Sequence, residues 1–214
     1  MTTTSGSDAH VEDGRLRRGM RTREQILNAA IDLFGSRGFA ATSMKELASA
    51  AGVRAPAFYN HFSSKERILA AALIRTLEDF KAHVVDTDDP TRPSVDRLEN
   101  LVRAHVSYQV SNATIVRSVD NLLEAVSAGT LLTVEDQAEI RVFTGAYRTL
   151  MTQLIDDVRA EVGGASPPTV LCMQAILAVC DQSRGWFREG GELSVDDVKD
   201  GCWGLVAGML RIPT

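Results

Sequence analysis

Residues 43 to 62, SMKELASAAGVRAPAFYNHF, constrain the fold more than any other stretch of the chain. Met44, Leu47, Ala48 and Ala51 recur at i, i+3, i+4 and i+7 and form one apolar stripe of a helix. Lys45, Glu46 and Ser49 then face outward. Ser43 precedes Glu46 by three positions, so its hydroxyl can accept from an early backbone N–H while the carboxylate reaches back to the cap. Gly52 ends that helix by taking a left-handed conformation without a Cβ penalty, and Pro56 suits the first turn of the next. In the second helix Phe58 and Phe62 share the buried face, which turns Pro56, Ala57, Tyr59 and Asn60 outward. Two helices so joined, with the second presented outward, describe a helix-turn-helix. An ordinary helical hairpin, with Tyr59 and His61 as plain surface residues, is the alternative. Against it stand a basic approach segment, an outward face without acids, and the same cap spacing at Thr22 with Gln25 and at Ser63 with Glu66.

Residues 22 to 69 also carry the patterns "A..LF...G", "T.....IA..AGV" and "..Y.HF..KE.L", with Leu47 where Ile is usual and Asn at residue 60. This stretch resembles the TetR family of bacterial transcriptional regulators. The resemblance implies an all-α homodimer with an N-terminal DNA-binding head and a larger C-terminal domain that binds a small molecule and forms the dimer. It also implies that the positions of Tyr59, His61 and Lys65 hold phosphates, with Ser43 and Lys45 nearby at the start of the second helix. Arg54, Ala55, Pro56, Ala57 and Asn60 are expected to face base edges in the major groove. A second, shorter resemblance lies in RGWFREGGELSVDDV, which is similar to the "WYRP.G.LS..E" stretch of actinobacterial fatty-acid and steroid regulators, some of them responsive to acyl-CoA thioesters.

The chain has 214 residues, 44% of them hydrophobic, enough for a proper core. Its net charge of −5 argues against a polyanionic partner until the distribution is read. Nine Lys or Arg face three acids between Gly14 and Lys65, so a basic head sits on an acidic remainder. The expected division is a disordered tail over 1–17, a DNA-binding domain over 18–64 and a helical ligand-binding and dimerisation domain over 65–214. The opening MTTTSGSDAHVEDG has no signal-peptide core, and no later segment approaches a membrane span, so a cytoplasmic location is expected. Cys172, Cys180 and Cys202 lack metal or redox spacing and read as buried thiols.

Beyond residue 64 the punctuation predicts helices over Lys65 to about Val85, Ser94 to Ser111, Ala113 to Ala128, a Thr133-capped helix to Val162, one entered at Pro167 after Ser166 and running to Phe187, and a Ser194-capped helix to Leu210. Val198, Cys202, Leu205 and Met209 make one stripe of the last helix, and Gly201, Gly204 and Gly208 another. Close packing of the last two helices against a second copy would account for the glycines, and so would intrachain packing. His105 and Gln109 sit in the apolar stripe of Leu98, Leu101, Val102 and Val106, and Tyr147 lies between Phe143 and Met151. These three, with Asn121, Arg184 and Trp186, are the candidate effector contacts, although each can equally be a satisfied core or rim group. No G-x-S-x-G, P-loop, H-E-x-x-H or Glu-x-x-His pair occurs, so neither an enzyme nor a metal or cofactor site is expected. The expected partners are a palindromic double-stranded operator, a small-molecule effector and a second copy of the chain, with no membrane. A ligand-independent architectural DNA binder remains the other reading.

Overall fold

The computed structural model describes residues 6–127, 131–163 and 167–213, without the side chains of 6–13, 15, 121 and 124–127. Among the described residues it is all-α: α1 (Gly6–Arg37), α2 (Met44–Ala50), α3 (Ala55–His61), α4 (Lys65–Phe80), α5 (Ser94–Ser111), α6 (Ala113–Ser127), α7 (Val134–Val162), α8 (Thr169–Gln182) and α9 (Val195–Leu210). A π turn, Lys81–Val85, extends α4, and a 3₁₀ turn, Ser183–Gly185, follows α8. The chain forms two compact units, Met1–Ile74 with Arg117–Thr133, and Arg75–Val116 with Val134–Thr214.

In the first unit the helix ends follow local chemistry. Gly38, at φ +84°, terminates α1, and Gly52, at φ +66°, terminates the α2 turn. Ser43 and Glu46 form the expected reciprocal capping box at α2. Ile26, Leu27, Ala30, Ile31 and Phe34 of α1 are buried, as are Leu47, Ala48, Phe58, Phe62, Ile68 and Leu69. Gly35 sits where a Cβ would stand 2.8 Å from the Ser118 Cα, so α1 and α6 cross backbone to backbone.

Two helix starts and one cap differ from the sequence reading. Helix α1 begins by Gly6, so the stretch from Gly6 into the arginine-rich segment is helix where a disordered tail was expected. Thr22 lies inside that helix, its hydroxyl donating to the Arg18 carbonyl instead of capping. Local spacing reads the same in both situations, and helix-favouring Arg, Leu and Met with no proline carry α1 upstream. At α4 the hydroxyl that accepts an early N–H, that of Arg67, belongs to Ser64 and not to Ser63. Helix α8 starts at Thr169 with Pro168 at its cap and stops at Gln182, short of Phe187, because the chain tightens into the 3₁₀ turn. Ser166 lies outside the described residues.

The second unit is built round α5, whose Leu98, Leu101, Val102 and Val106 are buried in one cluster with Met151, Leu154, Ile155 and Val158 of α7, Ile176 and Cys180 of α8, and Val198, Cys202 and Val206 of α9. All three cysteines are free and buried. Asp88 and Arg97 pair through two hydrogen bonds of 2.9 and 2.8 Å and tie the loop before α5 to that helix. Ser194 and Asp197 repeat the capping box at α9. No helix among the described residues is long and apolar enough to cross a membrane.

Candidate functional site

The first candidate surface is α3. Phe58 is fully buried and Phe62 nearly so, which fixes the rotation of this short helix. Arg54, Ala55, Pro56, Ala57, Tyr59 and Asn60 are then all exposed, with Tyr59 packed edge-on to Phe58 at 6.0 Å. Arg54 is the N-cap in extended backbone, and its side chain makes no cap bond. The surface holds one guanidinium, one amide and a patch of small apolar groups. Those are the donor types that read guanine and adenine edges and the groups that pack on thymine methyls. Lys45 is exposed on α2, and His61 is half-buried at the end of α3. Ser43 is engaged with Glu46, and this capping bond holds the Glu46 carboxyl below its ordinary pKa, with the backbone N–H of Ser43 adding to the effect.

Lys65 is placed differently from the expectation of a phosphate contact. Its ammonium donates to the carbonyls of Phe39 at 2.7 Å and Thr42 at 2.8 Å, and lies 4.3 Å from the centroid of the Phe39 ring. Two of its three N–H groups are thus spent inside the head, fastening the α1–α2 turn to the start of α4. The sequence motif gives no sign of this, because both acceptors are backbone groups distant along the chain.

The second candidate is a polar network inside the second unit. The His105 Nδ1 and the Tyr147 hydroxyl are 2.8 Å apart, and His105 is 2% exposed. Gln109 donates from Nε2 to Asp181 Oδ1 at 2.9 Å and accepts at Oε1 from Arg184 at 2.9 Å. Arg184 therefore fixes the Gln109 amide with its nitrogen toward His105. The tautomer in which Tyr147 donates to Nδ1 has the Nε2–H of His105 donating to Asp181, 3.1 Å away, and the other has Gln109 donating to Nε2 and Nδ1–H to the Tyr147 oxygen. Gln109 Nε2 and His105 Nε2 lie 3.1 Å apart, and both approach the same Asp181 oxygen. Burial raises the Tyr147 hydroxyl well above its ordinary pKa, and the nearby Asp181 carboxylate pushes the same way, so it stays neutral. Phe80, at the end of α4, packs edge-on to His105, Tyr108 and Tyr147 at 4.9, 5.3 and 5.2 Å.

Four of the six candidate effector residues are thus brought together, bonded to one another through Asp181. They do not line either groove described on this unit. One, of about 750 Å³, runs past Arg92, Glu99, Arg103 and Lys199; the other, of about 450 Å³, past Arg148, Thr152, Asp156 and Met173. Trp186 projects 45% exposed beyond the 3₁₀ turn, and the Asn121 side chain lies outside the described residues. Asp181 and Phe80 were missed from sequence. Asp181 is the lone acid of the apolar helix α8, the one signal that could have flagged it.

Comparison with known proteins matches this arrangement. Residues 26–72 fit the family model of bacterial regulatory proteins of the tetR family, and residues 91–210 fit the tetracyclin repressor-like C-terminal domain. The HTH-type transcriptional activator FasR of Mycolicibacterium smegmatis is 26% identical, over 94% of this chain and 90% of that protein. The HTH-type transcriptional repressor KstR2 of Mycobacterium tuberculosis is 25% identical, over 87% of this chain and 91% of its own length. Among solved structures, AibR in complex with isovaleryl coenzyme A and operator DNA superposes with a TM-score of 0.73 at 22% identity, covering 86% of this chain and 97% of AibR. The ketosteroid regulator KstR2 of M. tuberculosis gives 0.73 at 22% identity, over 87% and 93% of the two chains. Members of this family are transcriptional regulators and not enzymes. With both of its family models matched in order along an all-α chain, this protein belongs to the tetR family of bacterial regulatory proteins and is a DNA-binding transcriptional regulator.

Proposed function

We propose that the protein is a homodimeric repressor that holds a palindromic operator through α3 and is released by a small hydrophobic or acyl-CoA-type effector. The observation that carries the reading is the α3 surface: Arg54, Ala55, Pro56, Ala57, Tyr59 and Asn60 exposed together on a helix anchored by a fully buried Phe58. Arg54 and Asn60 read base edges, the Ala and Pro surface meets thymine methyls, and Tyr59, His61 and Lys45 hold phosphates. Such a molecule works in the cytoplasm, where its operator is.

Support for the dimer comes from α8 and α9. A Cβ added at Gly201, Gly204 or Gly208 would meet nothing within 4 Å, so close packing within the chain does not account for these glycines. They are exposed, as are Leu205 (58%), Val170 (57%) and Leu171 (58%), an apolar face suited to a four-helix contact between two copies. A palindromic operator presents half-sites about 34–36 Å apart, which a twofold protein must match.

Support for effector control comes from the polar network and from Phe80. The network joins α5, α7, α8 and the 3₁₀ turn, and Phe80 couples its rings to the end of α4, the helix that starts at the head. An effector that prefers a rearranged network by about 100-fold, near 2.7 kcal/mol, gives a useful response. That AibR was solved with isovaleryl coenzyme A and operator DNA makes short acyl-CoA esters the first compounds to try. FasR is named an activator, which favours activation as the second reading of the sign.

The test is operator binding by fluorescence anisotropy, using promoter fragments and scrambled competitors, titrated with acyl-CoA esters. Selective binding that falls with one ester supports the proposal. Affinity that is the same at every ester concentration points to the architectural reading, and absence of promoter preference removes the proposal altogether.

A further inference from the structure

Helix α1 continues past the head it belongs to. Its first fully buried residue among the described side chains is Ile26, and the family model also begins at residue 26, yet the helix reaches back to Gly6. Leu16 and Met20, which extend the buried stripe of Leu27 and Phe34 upstream, are 64% and 62% exposed. Among the described side chains of this upstream stretch, Leu16, Arg17, Arg18, Met20 and Arg21 are all exposed, so it stands out from the head as an arm.

Two observations say what the arm fits. Between Gly14 and Arg23 lie five arginines and no acid, after Asp8, Glu12 and Asp13 nearer the start of the helix, in a chain whose net charge is −5. At about 100° per residue these arginines fall all round the helix axis, so whichever side meets a duplex presents guanidinium groups. The second observation is position. The Arg23 guanidinium lies 5.5 Å from the centroid of the Phe62 ring, and Phe62 caps the C-terminal end of α3. The arm thus leaves the head beside the helix that reads the groove, and Arg17 stands about 9 Å farther along the axis at 1.5 Å per residue.

We propose that the upstream part of α1 is a second DNA-contacting surface, in which Arg17, Arg18 and Arg21 hold backbone phosphates beside the groove occupied by α3. It deepens the functional reading above, on which it rests, by adding a sequence-independent clamp to a sequence-reading helix. Arg17, Arg18 and Arg21 are all exposed. Arg17 and Arg21 are four apart, a like-charge spacing that weakens a helix in water, and a polyanion alongside removes that repulsion. The arm is accordingly more helical on DNA than off it.

The experiment compares the full-length protein with the triple variant R17A/R18A/R21A and its charge-preserving counterpart R17K/R18K/R21K. Affinity for operator and for scrambled duplex is measured through a salt series. The alanine variant is expected to lose about tenfold to a thousandfold on both duplexes and to flatten the salt slope by about two to three per bound subunit. The lysine variant keeps the slope, and the thermal transition of all three proteins is the same because none of the altered side chains is buried. An unchanged salt slope in the alanine variant overturns the proposal, as does binding to phosphatidylglycerol vesicles that the alanine variant loses while its DNA slope stays intact. Because the slope is also read on scrambled duplex, failure of the arm is distinct from failure of operator preference in the unaltered protein.

Discussion

Lys65→Met separates two roles for one side chain. Methionine keeps the alkyl stem and deletes the ammonium, leaving the Phe39 and Thr42 carbonyls without the donors that reach them at 2.7 and 2.8 Å. A hydrogen bond from a charged group contributes about 1.5–3 kcal/mol, and a cation over an aromatic face about 0.5–1 kcal/mol at a partly exposed site. Lys65 is half-buried, so the lower ends apply, and ordering a lysine side chain costs up to about 2 kcal/mol. The net loss is about 2–3 kcal/mol, concentrated where the turn after α1 meets α2. Hydrogen exchange followed by mass spectrometry reads this directly. Protection over residues 39–47 should fall by about 30- to 150-fold, with little change in peptides from α5 and α7. Operator affinity should fall because the start of α2 is loosened, while the salt slope stays as it was. The reasoning fails if protection is unchanged and the slope drops by about one, since that is the signature of a lost phosphate contact.

Three further outcomes follow from the packing. Gly35→Ala places a Cβ 2.0 Å from the Ser118 Oγ and 2.8 Å from its Cα, so it should destabilise the first unit by about 1–3 kcal/mol in urea unfolding. Adding S118G removes the side-chain clash but not the backbone one, and should restore only part. Gly204→Arg should leave the circular dichroism spectrum intact, since a Cβ there meets nothing within 4 Å, yet convert a dimer to a monomer in sedimentation velocity. The capping box gives a pH dependence. The Glu46 pKa is lowered from 4.5 in the folded head, so its contribution is complete above 4.5 and is lost as pH falls through the lower folded value. Ser43→Ala should flatten that acid limb of the stability profile, because Ser43 supplies the first cause of the shift.

What was legible in the sequence, and what was not, divides by range. The α2–turn–α3 device, its Ser43 box, the Ser194 box of α9 and the exposed face of α3 are all set by residues within a few positions of one another, and spacing alone carries them. Thr22 shows the limit of that logic: a cap pattern looks the same whether or not the chain upstream is already helical. The network was half legible. His105, Gln109 and Tyr147 stood out as polar groups in apolar stripes, but the Asp181 carboxylate that joins His105 to Gln109 and the Phe80 ring against His105 and Tyr147 depend on how four elements pack. Gly35 attracted no notice because its reason is Ser118, on a helix far along the chain. The glycines of α9 were conspicuous, yet only the fold shows that they face outward and not toward α5. The role of Lys65 was obscured for the same reason, since a motif names the residue and not the carbonyls it holds.

The most direct test of the account is selection of binding sites from a random duplex pool by the purified full-length protein, followed by the same selection with Asn60→Ala and Arg54→Ala. The account predicts an enriched inverted repeat with half-sites about one helical turn apart, in which each substitution relaxes one base position per half-site at a cost of about 1–3 kcal/mol. No enriched motif for the unaltered protein, or a motif indifferent to both substitutions, contradicts the assignment of α3 as the reading helix.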